Sequence, residues 1–414
     1  MTGDTSKPGA SRRRALLRVE DTHDLRAAVS PPRDALDITS PLTQRVRDPV
    51  PGTRIAGSLW EGERFIVRVP RAWNGRLVVA GTPGQRTEVA CDVLFSDPLV
   101  ASGYAYACGN KGNGDGVAVL TGDERLVVDR VALPRFPVGG AQSIAFWQHA
   151  PGKRIEAWLD ETIALTQLAK DILTERCGRG PDVTYAVGLS NGGYQVRRAV
   201  EESDLFDGAL VWNAVLWSRE HNVLNSLADA VAAFANGTPE RIPGCGFPPD
   251  IASRSGSGSL YAKNAAVYWF VTLWLHAMHL DPQTSIAYGD VGDAAPAESW
   301  CTRIAQWRPE RSVEIARRID GFANTGRIRC KTIDLCSEYD HLVPPAVHFA
   351  PYARLVEAAG RSHRYRARTI AGAPHVDAWA PDPEYPSLRP GHASVLEAWD
   401  ELVAWVEGDP VNSR

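Results

Sequence analysis

The chain has 414 residues, 44% of them hydrophobic and 23% charged, with a formal net charge of −4. That is the composition of a globular protein with a substantial core, long enough for a large domain with an insertion or for two domains. The slight acidic balance argues against nucleic acid as the main partner, and no run of about 18 apolar residues exists to span a membrane.

No apolar segment follows the basic cluster Arg12-Arg13-Arg14, as a secretory signal would require. Seven cysteines are scattered without CxxC or zinc spacing, which fits reduced thiols and a cytoplasmic protein. A secreted protein whose signal peptide has been removed is the alternative, and Cys245 with Cys301 would then be a candidate pair. Thirteen tryptophans are many, and some are expected to line an apolar cavity as well as the core.

Residues 1–50, rich in Arg, Asp, Pro and Ser, have no sustained period and predict an extension that is disordered or draped over the core. Residues 54–60 and 64–69 alternate as an antiparallel hairpin, and Leu77-Val78-Val79-Ala80 is continuously apolar, as a strand covered on both faces must be. It runs into Gly81-Thr82-Pro83-Gly84. A helix over 89–100 and a strand over 103–108 are expected next. The glycine-rich stretch 109–116 then predicts a flexible rim loop, because it lacks the Gly-Lys-Ser/Thr of a phosphate loop and the acidic ligands of a calcium loop.

Residues 154–173 repeat apolar positions at helical spacing and lead into Val183, Tyr185 and Val187, a β-branched and apolar run that stops at Gly188. Gly188-Leu189-Ser190-Asn191-Gly192 matches Gly-x-Ser-x-Gly, a sharp strand-to-helix turn that presents its serine. A strand over 209–217 follows, and the strand–helix–strand rhythm predicts an α/β fold with a mostly parallel sheet flanked by helices.

Residues 218–325 break the rhythm with helical runs and a Gly/Pro/Ser-rich middle, and read as a helical cap inserted into a core formed by 51–217 and 326–414. Tyr268, Trp269, Phe270 and Trp274 in this insertion are packing residues, of which one or two facing the cleft would favour a bulky apolar or aromatic substrate. His276, His279 and Asp281 lack a third distinctively spaced ligand, so no metal is expected. Strands over 328–336 and 365–370 and a closing helix around 395–406 complete the domain.

A serine at such a turn needs a base, and the base needs an acid. In the chain order Ser, Asp or Glu, His, the acid is expected at Asp340, with Glu338 as rival and Asp334 inside the strand. The base is expected at His375, after the last strand, ahead of His341, His363 and His392. An oxyanion would be held by the backbone N–H groups of Asn191 and Thr82, since Pro83 has none.

These segments resemble the α/β-hydrolase superfamily, and the resemblance covers about residues 54–406. Leu77 to Gly84 resembles its strand and oxyanion loop, with Ala80 in place of the common His. Gly188 to Gly193 resembles its elbow, and 340–344 and 372–375 its acid and histidine loops. Ser190-Asn191-Gly192-Gly193 is similar to elbows of polyester depolymerase-like and feruloyl-esterase-like enzymes. The tannase branch pairs a Cys before the serine with one beside the histidine, and here Leu189 and Val376 occupy those places.

The expectation is a cofactor-independent serine hydrolase acting on a small or oligomeric carboxylic ester or lactone. Hydrolysis of an amide or carbon–carbon bond by the same triad is the alternative, and a non-catalytic binding protein on this scaffold is a reading of a different class. Homo-oligomerisation is left open.

Overall fold

The computed structural model describes residues 17–27, 38–119 except 61 and 85, 127–128, 131–132, 145–149, 155–281 except 257, 270, 271, 274, 275, 277 and 278, 307, and 312–408. Nine strands form one sheet: β1 (Arg18–Thr22), β2 (Gly52–Ser58), β3 (Arg64–Pro70), β4 (Arg76–Gly81), β5 (Ala105–Gly109), β6 (Val183–Leu189), β7 (Gly208–Trp212), β8 (Lys331–Tyr339) and β9 (Tyr365–Pro374). Their spatial order is β1-β2-β3-β5-β4-β6-β7-β8-β9. The pairs from β1 to β5 across β2 and β3 are antiparallel. Every pair from β5 through β4 to β9 is parallel.

The apolar run of β4 is central for the reason its sequence suggests. Leu77 and Val79 pack on one face of the sheet with α1 (Trp158–Cys177) and α2 (Asn191–Glu202). Val78 and Ala80 pack on the other with the closing helix. A strand covered on both sides has no polar face to alternate with. In chain order, α3 (Val223–Ala235) and α4 (Val313–Phe322) lie between β7 and β8, α5 (Ala350–Ala358) follows β8, and α6 (His392–Glu407) closes the domain. The chain leaves β4 toward β5 on one side and returns to β6 on the other, which places a topological switch point at the carboxyl ends of β4 and β6.

Three segments take a more specific form than the sequence pattern predicts. The N-terminal extension contributes β1 to the sheet edge and buries Leu25 and Ile38, while Ser40 Oγ donates to the Ala380 carbonyl. The stretch at 109–116 is not simply a loop. Lys111 is buried with φ +60, and Asn113–Val119 forms a strand paired with Ala145–His149. The helix expected over 89–100 is a π-turn (Asp92–Ser96) followed by a short α-helix (Asp97–Ala101). Within that turn Asp92 makes two 2.6 Å bonds to the buried Arg68 guanidinium of β3, a tertiary contact absent from any helical pattern.

Between β7 and β8 the described residues form helices and turns, with one isolated bridge from Ala252 to Ser259. They share an apolar cluster with the core, in which Trp217 and Trp269 pack with Trp158 and Tyr194. The exit of this segment is tied to the helix after Ser190. Tyr194 donates to the Phe322 carbonyl at 2.7 Å, and Glu201 accepts from the N–H groups of Thr325 and Gly326 at 3.0 and 2.9 Å. Phe270, Trp274 and Cys301 lie outside the described residues, and Cys245 is a free thiol. Among the described residues no helix is long and apolar enough to cross a membrane.

Candidate active site

Ser190 stands between β6 and α2 with φ 59° and ψ −123°, a backbone conformation that costs a non-glycine residue about 1–3 kcal/mol. Its surroundings hold it there. The Ser190 N–H donates to the Trp212 carbonyl at 3.0 Å, and its own carbonyl accepts from Tyr194 and Val215. The turn also needs close approach of three backbones. A Cβ on Gly188 would lie 2.3 Å from the Gly192 oxygen, and one on Gly192 would lie 2.1 Å from the Gly81 oxygen. Gly192→Ala is therefore expected to destabilise the protein by about 3 kcal/mol, measured as a lowered chemical denaturation midpoint with unchanged slope.

His375 and Asp340 come together from the loops after β9 and β8. His375 Nδ1 lies 2.7 Å from Asp340 Oδ2, and both side chains are buried. The second oxygen of Asp340 accepts from the Leu342 and Val343 N–H groups at 2.9 and 2.6 Å, which fixes the carboxylate plane.

The rivals are engaged elsewhere. Glu338 accepts from the Gly372 N–H at 2.8 Å, and Asp334 is bound by Arg197 and Tyr365. Both ring nitrogens of His341 face backbone carbonyls, of Tyr339 and Pro249. His392 Nε2 bonds the Leu94 carbonyl, and His363 is exposed.

Asn213 was not singled out from the sequence. It follows β7 at φ +50, a conformation Asn tolerates better than most residues. Its side-chain amide donates to the His375 carbonyl at 2.9 Å and to Ser337 Oγ at 3.0 Å, and its Oδ1 accepts from the Ser337 N–H at 2.7 Å. It thus fixes the histidine loop against β8. A polar residue closing an apolar strand was the available signal.

Ser190, Asn191 and His375 line one solvent-connected cleft. Much of the remaining lining is aliphatic, including Ile38, Leu189, Val215, Val223 and Leu342. Of the four aromatic residues noted in the insertion, Tyr268 reaches the cleft and Trp269 is fully buried in the core.

No protein-family model matches the chain, and no curated protein matches it in sequence. Solved structures do match it in fold. Feruloyl esterase B from Aspergillus oryzae is similar with a TM-score of 0.52 and 13% identity over 95% of this chain and 87% of that chain. An esterase from Aspergillus oryzae is similar with a TM-score of 0.50 and 12% identity over 95% and 86%. The chain has the α/β-hydrolase fold.

Within this α/β-hydrolase fold, the loop after β4 departs from expectation. The Thr82 N–H, taken from the sequence as an oxyanion donor, is given to Gln195 Oε1 of α2 at 3.0 Å, and Gln195 Nε2 continues to Thr162 of α1 at 3.2 Å. Thr82 Oγ1 donates to the Gly109 carbonyl, and the residue is fully buried. It ties β4, β5, α1 and α2 together, while Pro83 and Gly84 form the cleft lining at this point.

The same loop of the hydrolase fold is gripped by Lys111. Its ammonium donates to the carbonyls of Thr82 and Gly84 at 2.5 and 2.6 Å and lies 4.5 Å from the Trp158 ring centroid. Cys108, beside Thr82, is pushed up to about 12 by burial, so its thiol stays protonated and takes no part as a nucleophile.

Proposed function

We propose that this protein is a serine hydrolase that cleaves a carboxylic ester or lactone through an acyl-enzyme. The observation that carries the reading is the buried His375–Asp340 pair at 2.7 Å on the cleft that also holds the strained Ser190. Ser190 Oγ attacks the carbonyl carbon and His375 takes its proton. Asp340 keeps the imidazole oriented and stabilises its cation, and His375 returns the proton to the leaving alcohol. Water then repeats the sequence on the acyl-enzyme.

The developing oxyanion is received at the N-terminus of α2 by the Asn191 N–H, where the helix dipole adds positive potential. The second donor belongs to the loop after β4, where Gly84 has an N–H and Pro83 does not. Lys111 turns the carbonyls of this loop toward itself and so away from the oxyanion. Lys111→Met is expected to lower kcat by about one to two orders of magnitude with a smaller change in KM, measured by steady-state ester hydrolysis.

The segment 218–325 serves as the cap and supplies Val223, Tyr268, Thr272 and His276 to the cleft lining. That lining suits a bulky apolar or aromatic substrate, and the two fungal enzymes of this fold are named as esterases. The test is a panel of p-nitrophenyl esters of graded acyl length together with fluorophosphonate labelling of Ser190. Turnover with labelling is expected. Labelling without turnover of any ester would move the reading to another acyl or carbon–carbon bond, and an unreactive Ser190 would overturn it.

A further inference from the structure

The cleft carries hydrogen-bonding groups that acyl transfer does not use. Tyr268, Thr272 and His276, four residues apart in sequence, all reach its lining. His276 is 4% exposed and is pinned edge-on by the Trp217 indole at 5.2 Å. The ring thus has the Trp217 indole against it and the cleft before it. Burial, assisted by His279 and Lys111 nearby, holds its pKa down at about 3, so the ring is neutral in ordinary buffers, with one nitrogen donating and the other accepting.

We propose that His276, with Thr272 four residues before it on the same lining, forms a polar subsite that takes a neutral hydroxyl group on the acyl or alcohol part of an ester. This inference rests on the ester-hydrolase reading above. A hydroxyl both donates and accepts, as does the neutral imidazole, and two neutral partners avoid the desolvation of a charge inside an apolar cleft. A cationic group is disfavoured by Lys111 close to His276 and by Arg86 on the lining. Arg86 makes a carboxylated substrate the competing outcome.

The test uses methyl esters of ω-hydroxyalkanoic acids and mono-acetates of α,ω-diols, in graded lengths. Each is paired with the compound bearing methyl in place of the hydroxyl and with the ω-carboxylate. At one length the hydroxyl compound is expected to exceed its methyl partner by about tenfold or more in kcat/KM. His276→Phe brings that ratio to about one, and His276→Gln keeps part of it. The two compounds are compared within each protein, so a general loss of rate cancels. Thr272→Val, which conserves shape, is expected to weaken the preference and serves if His276→Phe does not fold.

The subsite is overturned by the absence of a hydroxyl preference at every length or by a preference unchanged in His276→Phe. A carboxylate preference that survives in His276→Phe also overturns it and assigns the contact to Arg86. Calorimetric binding of the same pairs to Ser190→Ala reads the ratio without turnover. A hydroxyl preference in binding alongside a wild-type protein that hydrolyses no ester would remove the hydrolase reading and leave the subsite standing.

Discussion

Ser190→Ala is expected to lower kcat for ester hydrolysis by about six orders of magnitude while leaving the thermal unfolding midpoint in place. The two halves follow from different atoms. The hydroxyl makes no capping bond to α2, so its removal costs no structural hydrogen bond. The conformation at φ 59° is imposed by backbone bonds to Trp212, Tyr194 and Val215, all of which an alanine retains. What disappears is the nucleophile, and with it the covalent intermediate. Steady-state rates with a p-nitrophenyl ester, set beside circular-dichroism melting, check both halves, and an active Ser190→Ala protein would sink the mechanism.

Asp340→Asn carries the second largest effect, a loss of about four orders of magnitude in kcat. The substituted amide would keep an oxygen for the Leu342 and Val343 N–H groups that Asp340 Oδ1 now receives. Its nitrogen would then face His375 Nδ1 and donate to it, forcing the imidazole proton onto Nε2. A histidine so protonated cannot accept the serine proton, and no carboxylate remains to stabilise the imidazolium. KM is expected to change far less than kcat, and a crystal structure of the variant with the amide seated where the carboxylate was would separate tautomer reversal from misfolding. An Asp340→Asn protein with near-normal kcat would remove Asp340 from the mechanism.

The sequence made the central sheet readable where local pattern and tertiary role coincide. β4 is apolar from Leu77 to Ala80 because it is covered on both faces, and the turn at Ser190 needs glycines that any strand–helix contact this close would need. His375 and Asp340 were placed by chain order, which follows from the topology of parallel strands.

What was missed depends on side chains reaching between distant elements. Thr82 lost its expected role because Gln195, 113 residues away, takes its N–H, and nothing near Thr82 signals that. Lys111 sat in a stretch whose glycines suggested a loose rim, yet its ammonium reaches back to carbonyls 29 and 27 residues earlier. Asn213 acts 162 residues along the chain on His375. Polar contacts of this separation leave no periodicity to read.

Ile38 belongs to a segment without a sustained hydrophobic period, yet it stands on the cleft lining with Leu189 and Asn191, which flank the nucleophile. The neighbouring Ser40 fastens that segment to the Ala380 carbonyl in the loop beyond His375. A chain lacking these residues would lose β1 from the sheet edge and Ile38 from the cleft lining together. The N-terminal segment is thus at once an edge of the sheet and one wall of the cleft beside Ser190.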